Sequence, residues 1–128
     1  SAASEVYKRQ VVECVDNDET AAVIANLVHA KKLVLMTSTE GIYRDPADPK
    51  TLVEQVTAKS MEELEEKVRQ LQESCVGASR AGANGAKAKL EYALKSARQG
   101  TTVIIGHARH RLSDLVEGRV ACTRIGLE

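Results

Sequence analysis

The sequence predicts an α/β fold built on a mainly parallel sheet. Two short apolar runs, residues 33–36 and 101–105, have the composition of strands that are covered on both faces. Segments with apolar residues at helical spacing lie before and between these runs. Such an alternation of helices and buried strands is typical of a parallel sheet with helices packed against it. A chain of 128 residues is long enough for one domain with one core.

The first predicted helix follows an acidic turn at residues 16–18. Asp18 can cap a helix that begins near Glu19, because a carboxylate accepts hydrogen bonds from the free N–H groups of a first turn. Four apolar residues at helical spacing are expected to form the packed face of this helix: Ala21, Ile24, Leu27 and Val28. After the strand at 33–36, the segment 51–57 is expected to form a short strand or an extended arm.

The second half of the chain predicts two long helices and a short one. Ser60 and Glu63 form a capping box, and an apolar stripe at helical spacing follows them: Leu64, Val68, Leu71 and Cys75. A Gly- and Ala-rich segment, residues 77–86, leads into the next helix, which we expect to stop at Gly100. A strand at 101–105, a short helix at 112–116 ended by Gly118, and a last strand at 119–125 complete the prediction.

Charge and composition argue against several classes of protein. Lys plus Arg equals Asp plus Glu at 18 each, whereas proteins that bind nucleic acid or a membrane surface carry a basic excess. No apolar run approaches the ~20 residues that span a bilayer. The three cysteines are widely spaced, which disfavours a disulfide scaffold or a zinc site and suggests a reduced, cytoplasmic location.

The first ten residues have no clear period and no signal-peptide core. We interpret residues 1–10 as a non-native segment read through from a sequencing-library adapter, with an ordinary N-terminal segment as the alternative. The domain is therefore assigned to residues 11–128. We expect it to be the C-terminal part of a longer protein.

A phosphate site is predicted where residues 77–89 lead into a helix. Small residues let a ligand approach the backbone, and a helix N-terminus presents unpaired N–H groups and a partial positive charge. Arg80, Lys87 and Lys89 add cations around this point. The spacing is not that of a Walker A loop, and the alternative is a flexible loop with a solvated basic turn.

Two further polar segments are candidate ligand contacts. Residues 37–41 follow a strand, where ligands usually bind in open α/β sheets, and Tyr43 can lie against a nucleoside. The alternative is that the hydroxyls cap a turn and Tyr43 fills the edge of the core. Three successive polar residues at 16–18 are more than one helix cap requires, and they suit an ammonium group or a magnesium-bound ligand.

Histidines and cysteines are assigned no chemistry, and no metal ligands are proposed. His107 and His110 are interpreted as exposed loop residues, because no carboxylate or cysteine cluster is adjacent in the sequence. Cys75 and Cys122 fall in apolar patterns and are interpreted as packing residues.

Taken together, these segments resemble the C-terminal half of the amino acid kinase family, most closely its glutamate 5-kinases. Residues 16–28 resemble the DND turn and helix of those enzymes at the same spacing. Residues 33–46 are similar to the segment LLxTDxDGLY…DP, and residues 82–90 to GxGGMxTKL, with Lys89 at the lysine. Ser38 and Glu40 stand where the pattern has aspartates, and residues 84–86 stand where it has Gly-Gly-Met.

The resemblance implies a three-layer α/β/α sandwich, present here as a partial domain, and ATP with Mg²⁺ as the phosphoryl donor. It implies a catalytic role for Lys89, which would neutralise phosphate charge. It implies that the acceptor contacts Asp16, Asn17 and Asp18. The residues that it places around the nucleotide are Thr37, Ser38, Gly41, Tyr43, Asp45, Asn84, Gly85, Ala86, Lys87 and Lys89.

The expected activity is phosphorylation of the side-chain carboxylate of glutamate to an acyl phosphate for proline biosynthesis. The 128 residues alone are expected to be inactive, because half of the site would be missing, and the full-length protein is expected to be a homo-oligomer. The partner is a small-molecule substrate, with no nucleic acid and no membrane. UMP kinases share the strand-loop segment and are the alternative, although an acidic turn suits an ammonium group better than UMP. A nucleotide-binding or structural module without chemistry is a further alternative.

Overall fold

The computed structural model describes residues 11–14, 18–45, 47–76 and 83–128. The helices and strands in chain order are β1 (Val11–Cys14), α1 (Asp18–Leu27), β2 (Lys32–Thr37), β3 (Gln55–Ala58), α2 (Met61–Val76), α3 (Ala83–Arg98), β4 (Thr102–His107), α4 (Leu112–Glu117) and β5 (Thr123–Leu127). A single 3₁₀ turn, Pro49–Thr51, precedes β3. The predictions for residues 1–10, for Asp16 and Asn17, and for Arg80 lie outside the described residues.

The described strands form one sheet in the order β1-β2-β4-β5-β3. β1 and β2 are parallel, as are β2 and β4, and β3 and β5. β4 and β5 are antiparallel, so β5 and β3 run opposite to the other strands. The predicted mainly parallel sheet is therefore confirmed.

Helices cover both faces of the sheet, which confirms the α/β/α arrangement. On one face, α1, α2 and α3 pack on β2, β4 and β5 through a core that includes Leu33, Leu35, Leu64, Leu90, Leu94, Val103 and Ile125. On the other face, α4 places Leu115 and Val116 against Val34, Met36 and Ile104. Among the described helices, none has the length and apolar composition needed to cross a membrane.

The predicted packed face of α1 is wrong for three of its four residues. Ile24, Leu27 and Val28 are 44%, 72% and 45% exposed, whereas Ala21 and Ala25 are buried. Alanine side chains are short, so the helix approaches the core closely along the row that contains them. The larger side chains of Ile24, Leu27 and Val28 are then left partly or largely exposed.

Local signals placed most of the other helix ends correctly. Ser60 Oγ accepts a hydrogen bond from the Glu63 N–H (3.3 Å) at the start of α2, as the capping box predicts. Gly118 ends α4 with a φ of 74°, a conformation that glycine adopts without a steric penalty. β5 begins at Thr123 rather than 119, because Arg119 follows the cap of α4 and still hydrogen-bonds to that helix. Its N–H donates to the Asp114 carbonyl (2.9 Å) and its Nε to Asp114 Oδ1 (2.8 Å).

Candidate nucleotide site

The carboxyl ends of three parallel strands meet at one edge of the sheet. Thr37 is the register partner of His107, and the Ala108 N–H donates to the Thr37 carbonyl at 2.8 Å. β1 also ends at this edge because it is parallel to β2, and α1 begins there with Asp18. The fold thus brings together the loops that follow β2 and β4 and the start of α1. This is the edge at which open α/β sheets bind ligands.

The loop after β2 is fixed to the rest of the edge by Thr123, at the start of β5. The Thr123 hydroxyl accepts a hydrogen bond from the Ile42 N–H (2.9 Å) and donates one to the Val53 carbonyl (2.6 Å). A Cβ atom at Gly41 would lie 2.3 Å from Thr123 Oγ1, and the φ of Gly41 is 157°. The close approach of Thr123 therefore favours glycine at position 41, independently of the predicted contact with a nucleotide. Ser38 is exposed and Thr37 is half-buried beside it.

A charged cluster joins the loops after β2 and β4. Glu40 Oε2 lies 2.7 Å from His110 Nε2, and the other carboxylate oxygen pairs with the Arg109 guanidinium. The side chains of Glu40 and His110 are each only 19% exposed, whereas that of Arg109 is 64% exposed. Glu40 is therefore neutralised at a largely buried position between the two loops. The prediction that the histidines are exposed is wrong, since His107 and His110 are both partly buried.

Tyr43 and Asp45 lie in the hairpin-like segment that leads from β2 toward β3. Tyr43 is half-buried and forms an isolated antiparallel bridge with Leu52. Asp45 is exposed, and its Oδ1 accepts a hydrogen bond from the Ala47 N–H (3.0 Å). One oxygen of Asp45 is thus used within its own turn, where short acidic side chains commonly act.

The start of α3 lies toward the same edge as the loops after β2 and β4. α3 ends at Arg98, just before β4 begins at Thr102, so the helix runs back along the strand in the opposite direction. With 16 residues it is about 24 Å long, enough to return to the carboxyl end of β4. Gly85 and Lys87 are exposed there, while Ala86 and Lys89 are half-buried. Asn84 is within the first turn of the helix.

A side-chain network joins α2 to the first turns of α3. We call Arg69, Gln72 and Glu91 the α2–α3 clamp. Arg69 Nη1 donates to Gln72 Oε1 (2.8 Å) and to the Glu91 carboxylate, and Gln72 Nε2 donates to the Lys87 carbonyl (3.0 Å) and to Glu91 Oε2 (3.3 Å). The hydrogen bond between Arg69 and Glu91 raises the pKa of the guanidinium and lowers the pKa of the carboxyl group. Both groups are therefore charged at neutral pH. A cavity of about 260 Å³ beside this network is lined by Arg69, Gln72, Glu73 and Lys87.

The remaining candidate groups show no metal chemistry in the part of the chain that is described. No group of three or more His, Cys, Asp or Glu side chains in those residues is arranged to hold a metal ion. Cys122 is buried, as its apolar pattern predicts, and burial raises the pKa of its thiol. A cavity of about 190 Å³ between α1 and α3 includes Asn26, Ser96 and Thr101. It lies toward the opposite edge of the sheet from Thr37.

Sequence reasoning missed Thr123, the pairing of Glu40 with Arg109 and His110, and the α2–α3 clamp. Gln72 did leave a signal, because it continues the buried row of Leu64 and Val68 at four-residue spacing. A polar residue on a buried helix face must find partners inside the protein. The other contacts join residues that are 70 and 81 positions apart, and no local pattern marks them.

Residues 6–107 match the Amino acid kinase family. The chain belongs to this family. It is 35% identical over 115 residues to glutamate 5-kinase from Geobacillus kaustophilus, a match that covers 88% of the chain and 29% of that enzyme. It is also 47% identical over 53 residues to acetylglutamate kinase from Methanopyrus kandleri, covering 41% of the chain and 22% of that enzyme. The chain thus spans less than a third of the length of these curated relatives.

Solved structures support the same fold. Carbamate kinase from Giardia lamblia bound to AMP-PNP superimposes with a TM-score of 0.64 at 18% identity, over 88% of this chain and 32% of that one. The same enzyme bound to citric acid gives a TM-score of 0.57 at 17% identity. At these identities the similarity concerns the fold, and it agrees with the mixed, mainly parallel sheet described above.

Proposed function

We propose that residues 11–128 form the C-terminal, nucleotide-binding part of a kinase that phosphorylates the side-chain carboxylate of glutamate. The observation that carries this proposal is the 35% identity to a glutamate 5-kinase over 88% of the chain. The family match and the position of the loops at one sheet edge support it. The product would be an acyl phosphate of the kind that proline synthesis uses.

The residues at the start of α3 fit the phosphates of ATP. A helix N-terminus offers unpaired N–H groups, and, apart from the helix's own backbone and the two neighbours of Gly85, no atom of the described residues lies within 4 Å of a Cβ placed on Gly85. Lys87 is exposed beside it, and Lys89 follows about half a turn later. Lys89 would neutralise charge on the transferred group, and Mg²⁺ would be coordinated mainly by phosphate oxygens. The loops at 37–45 would hold the nucleoside.

The acceptor chemistry requires little proton transfer. A glutamate side chain has an ordinary pKa near ~4.3, so its carboxylate is already an ionised nucleophile at neutral pH. The difficulty is the approach of two anions in the correct geometry. Positioning and charge neutralisation therefore carry most of the rate in such a reaction. Asp16, Asn17 and Asp18 would orient the acceptor by holding its ammonium group.

An acceptor whose amine is acylated is the second candidate. The 47% identity to an acetylglutamate kinase over 53 residues favours it. Such a substrate has no ammonium group, so it would not use the negative charge of the turn at residues 16–18. UMP would also use that turn poorly, because its phosphate is repelled by carboxylates.

Two measurements test the proposal. Calorimetric titration of the 128-residue chain with ATP and Mg²⁺ should give saturable binding, and the chain alone should show no turnover. A protein of this sequence extended to the length of its relatives should form a product that hydroxylamine traps as a hydroxamate when glutamate is supplied. Turnover with N-acetylglutamate or UMP, and none with glutamate, would reject glutamate as the acceptor. A chain that shows no binding of ATP would contradict the nucleotide-binding assignment.

A further inference from the structure

Gln72 is a buried amide whose nitrogen donates both of its hydrogen bonds to a neighbouring helix. It is 4% exposed, on the face of α2 that packs against α3. A buried amide without partners is destabilising, but here the oxygen accepts from Arg69 and the nitrogen donates twice. One of those two bonds reaches the Lys87 main-chain carbonyl, within the second turn of α3.

The packing of α2 on α3 does not need this amide. Fully buried apolar side chains already join the two helices: Leu64, Val68, Leu90, Ala93 and Leu94. Apolar contacts have little directional preference, so they tolerate a small slide or rotation of one helix along the other. A hydrogen bond to a main-chain carbonyl does not tolerate such a slide. Buried polar contacts have this register-fixing role in other helix pairs.

The position of the clamp along α3 separates its role from that of the other polar contact between the two helices. α2 and α3 are also joined near the other end of α3, where Arg98 Nη2 lies 3.2 Å from Glu65 Oε2. That ion pair is exposed, and it joins two side chains rather than a side chain and the main chain of α3. The clamp, in contrast, holds the carbonyl of Lys87 and lines the cavity that Lys87 also lines. The clamp thus acts near the start of α3, where the proposed function places the phosphates of ATP.

We propose that Arg69, Gln72 and Glu91 are positioning residues of the nucleotide site: they fix the axial register of α3 on α2 and so hold its first turns in place for the phosphates. The inference rests on the proposed function, since it needs that site to bind ATP. None of the three side chains has to touch the nucleotide. Each acts through the Lys87 carbonyl and the helix that carries it.

The test compares Gln72→Met with Arg98→Met. Methionine keeps the volume and length of glutamine but removes its hydrogen bonds. The Lys87 carbonyl keeps its helical partner four residues later, so the substitution strands no main-chain group. Arg98→Met removes a contact between the same two helices at the far end of α3. Glu91→Gln is the conservative variant, because its amide oxygen still accepts hydrogen bonds while the charge is lost.

Two readouts are measured on the 128-residue chain: the Kd for ATP with Mg²⁺ by calorimetry, and hydrogen exchange along α3. Gln72→Met should raise the Kd about tenfold, in line with the sensitivity of such sites to small displacements. It should also speed exchange at residues 84–89 while residues 90–98 keep their protection. Arg98→Met should leave the Kd within about twofold, and Glu91→Gln should fall between the two.

Several results would overturn the inference. An unchanged Kd in Gln72→Met, or an equal rise in Arg98→Met, would show that the network only packs the helices. Exchange that speeds uniformly along α3 would show general loss of stability rather than loss of register. If Gln72→Met does not fold, Glu91→Gln and Arg98→Met still decide, because equal Kd values in those two variants reject the clamp. If the unaltered chain does not bind ATP, the proposed function fails and this inference fails with it.

Discussion

Thr123→Val should destabilise the fold by about 2–6 kcal/mol, because valine keeps the shape of threonine but not its hydroxyl. Thr123 is fully buried, and its hydroxyl accepts from the Ile42 N–H and donates to the Val53 carbonyl. The substitution therefore strands one buried donor and one buried acceptor, each worth about 1–3 kcal/mol. A domain of this size has a total stability of about 5–15 kcal/mol, so the change is a large fraction of the whole.

The assay is urea unfolding followed by far-UV circular dichroism, since the chain contains no Trp as a fluorescence probe. Thr101→Val is the matched control, because Thr101 is also buried but donates a single hydrogen bond, to the Ala30 carbonyl at 2.7 Å. It strands one buried acceptor and should lose only about 1–3 kcal/mol, and Thr123→Ser should recover most of the stability that valine loses. Faster hydrogen exchange at Ile42 should accompany the loss. A Thr123→Val protein no less stable than Thr101→Val would refute the reasoning.

Other expected outcomes concern packing, pH and turnover. Leu94→Ala should lower the free energy of unfolding by about 2–5 kcal/mol, because Leu94 is fully buried. Leu27→Ala should change it by less than about 0.5 kcal/mol, because Leu27 is 72% exposed. Similar losses for the two variants in urea unfolding would contradict the exposed position of Leu27 on α1. The pKa of Glu91 is lowered in the fold by Arg69, so its stabilising effect is present above the unfolded-state pKa and is lost as pH falls through the folded one; acid unfolding should therefore be shallower in Glu91→Gln, and identical profiles would exclude the contribution. In a protein of this sequence extended to the length of its relatives, Lys89→Ala should slow the proposed turnover at least ~100-fold, and near-normal turnover would remove Lys89 from the proposed mechanism.

The turn at residues 16–18, which we propose holds the acceptor, gives a prediction of its own in the same extended protein. Asp18→Asn should raise the KM for glutamate and leave that for ATP unchanged, because it removes a negative charge near the proposed ammonium contact while keeping a side chain that can cap a helix. Steady-state kinetics with each substrate varied in turn separates the two constants. An unchanged KM for glutamate would leave Asp18 with a capping role alone.

The elements that local chemistry fixes could be predicted from the sequence. The capping box at Ser60, the glycine stop at Gly118 and the β-branched run at 101–105 each act over a few residues. Their hydrogen bonds are decided by the backbone conformation that those residues prefer. The two helices and the strand that they mark accordingly lie where the sequence places them, to within one or two residues.

The buried face of α1 could not be predicted, because its apolar residues surround most of the helix. Residues 21–28 read Ala-Ala-Val-Ile-Ala-Asn-Leu-Val, so more than one helical row is apolar. Large side chains favour burial when area alone is counted. In the fold the row with Ala21 and Ala25 is buried instead, because a close helix approach has room only for small side chains. That choice depends on the neighbouring elements and not on α1.

The contacts of the candidate site, at the edge of the sheet, could also be predicted only in part. The sequence indicates which segments are polar, and parallel strands bring their carboxyl ends together whatever the side chains are. It does not indicate that β5 runs antiparallel to β4, which is what brings Thr123 to Gly41. Contacts made across such a sheet depend on the strand order, which no single segment specifies.

The cluster around Glu40 affects the charge at this edge of the sheet, where the chain departs from the family pattern. That pattern has aspartates at positions 38 and 40, so two carboxylates would face the phosphates there. In this chain Ser38 is neutral, and the Glu40 carboxylate is paired with Arg109 and His110. Since unpaired carboxylates repel a polyphosphate, the neutral Ser38 and the pairing of Glu40 both limit the negative charge that a nucleotide would meet at this edge. Residues that weaken the sequence match are therefore compatible with the proposed ligand, because their electrostatic effect favours it.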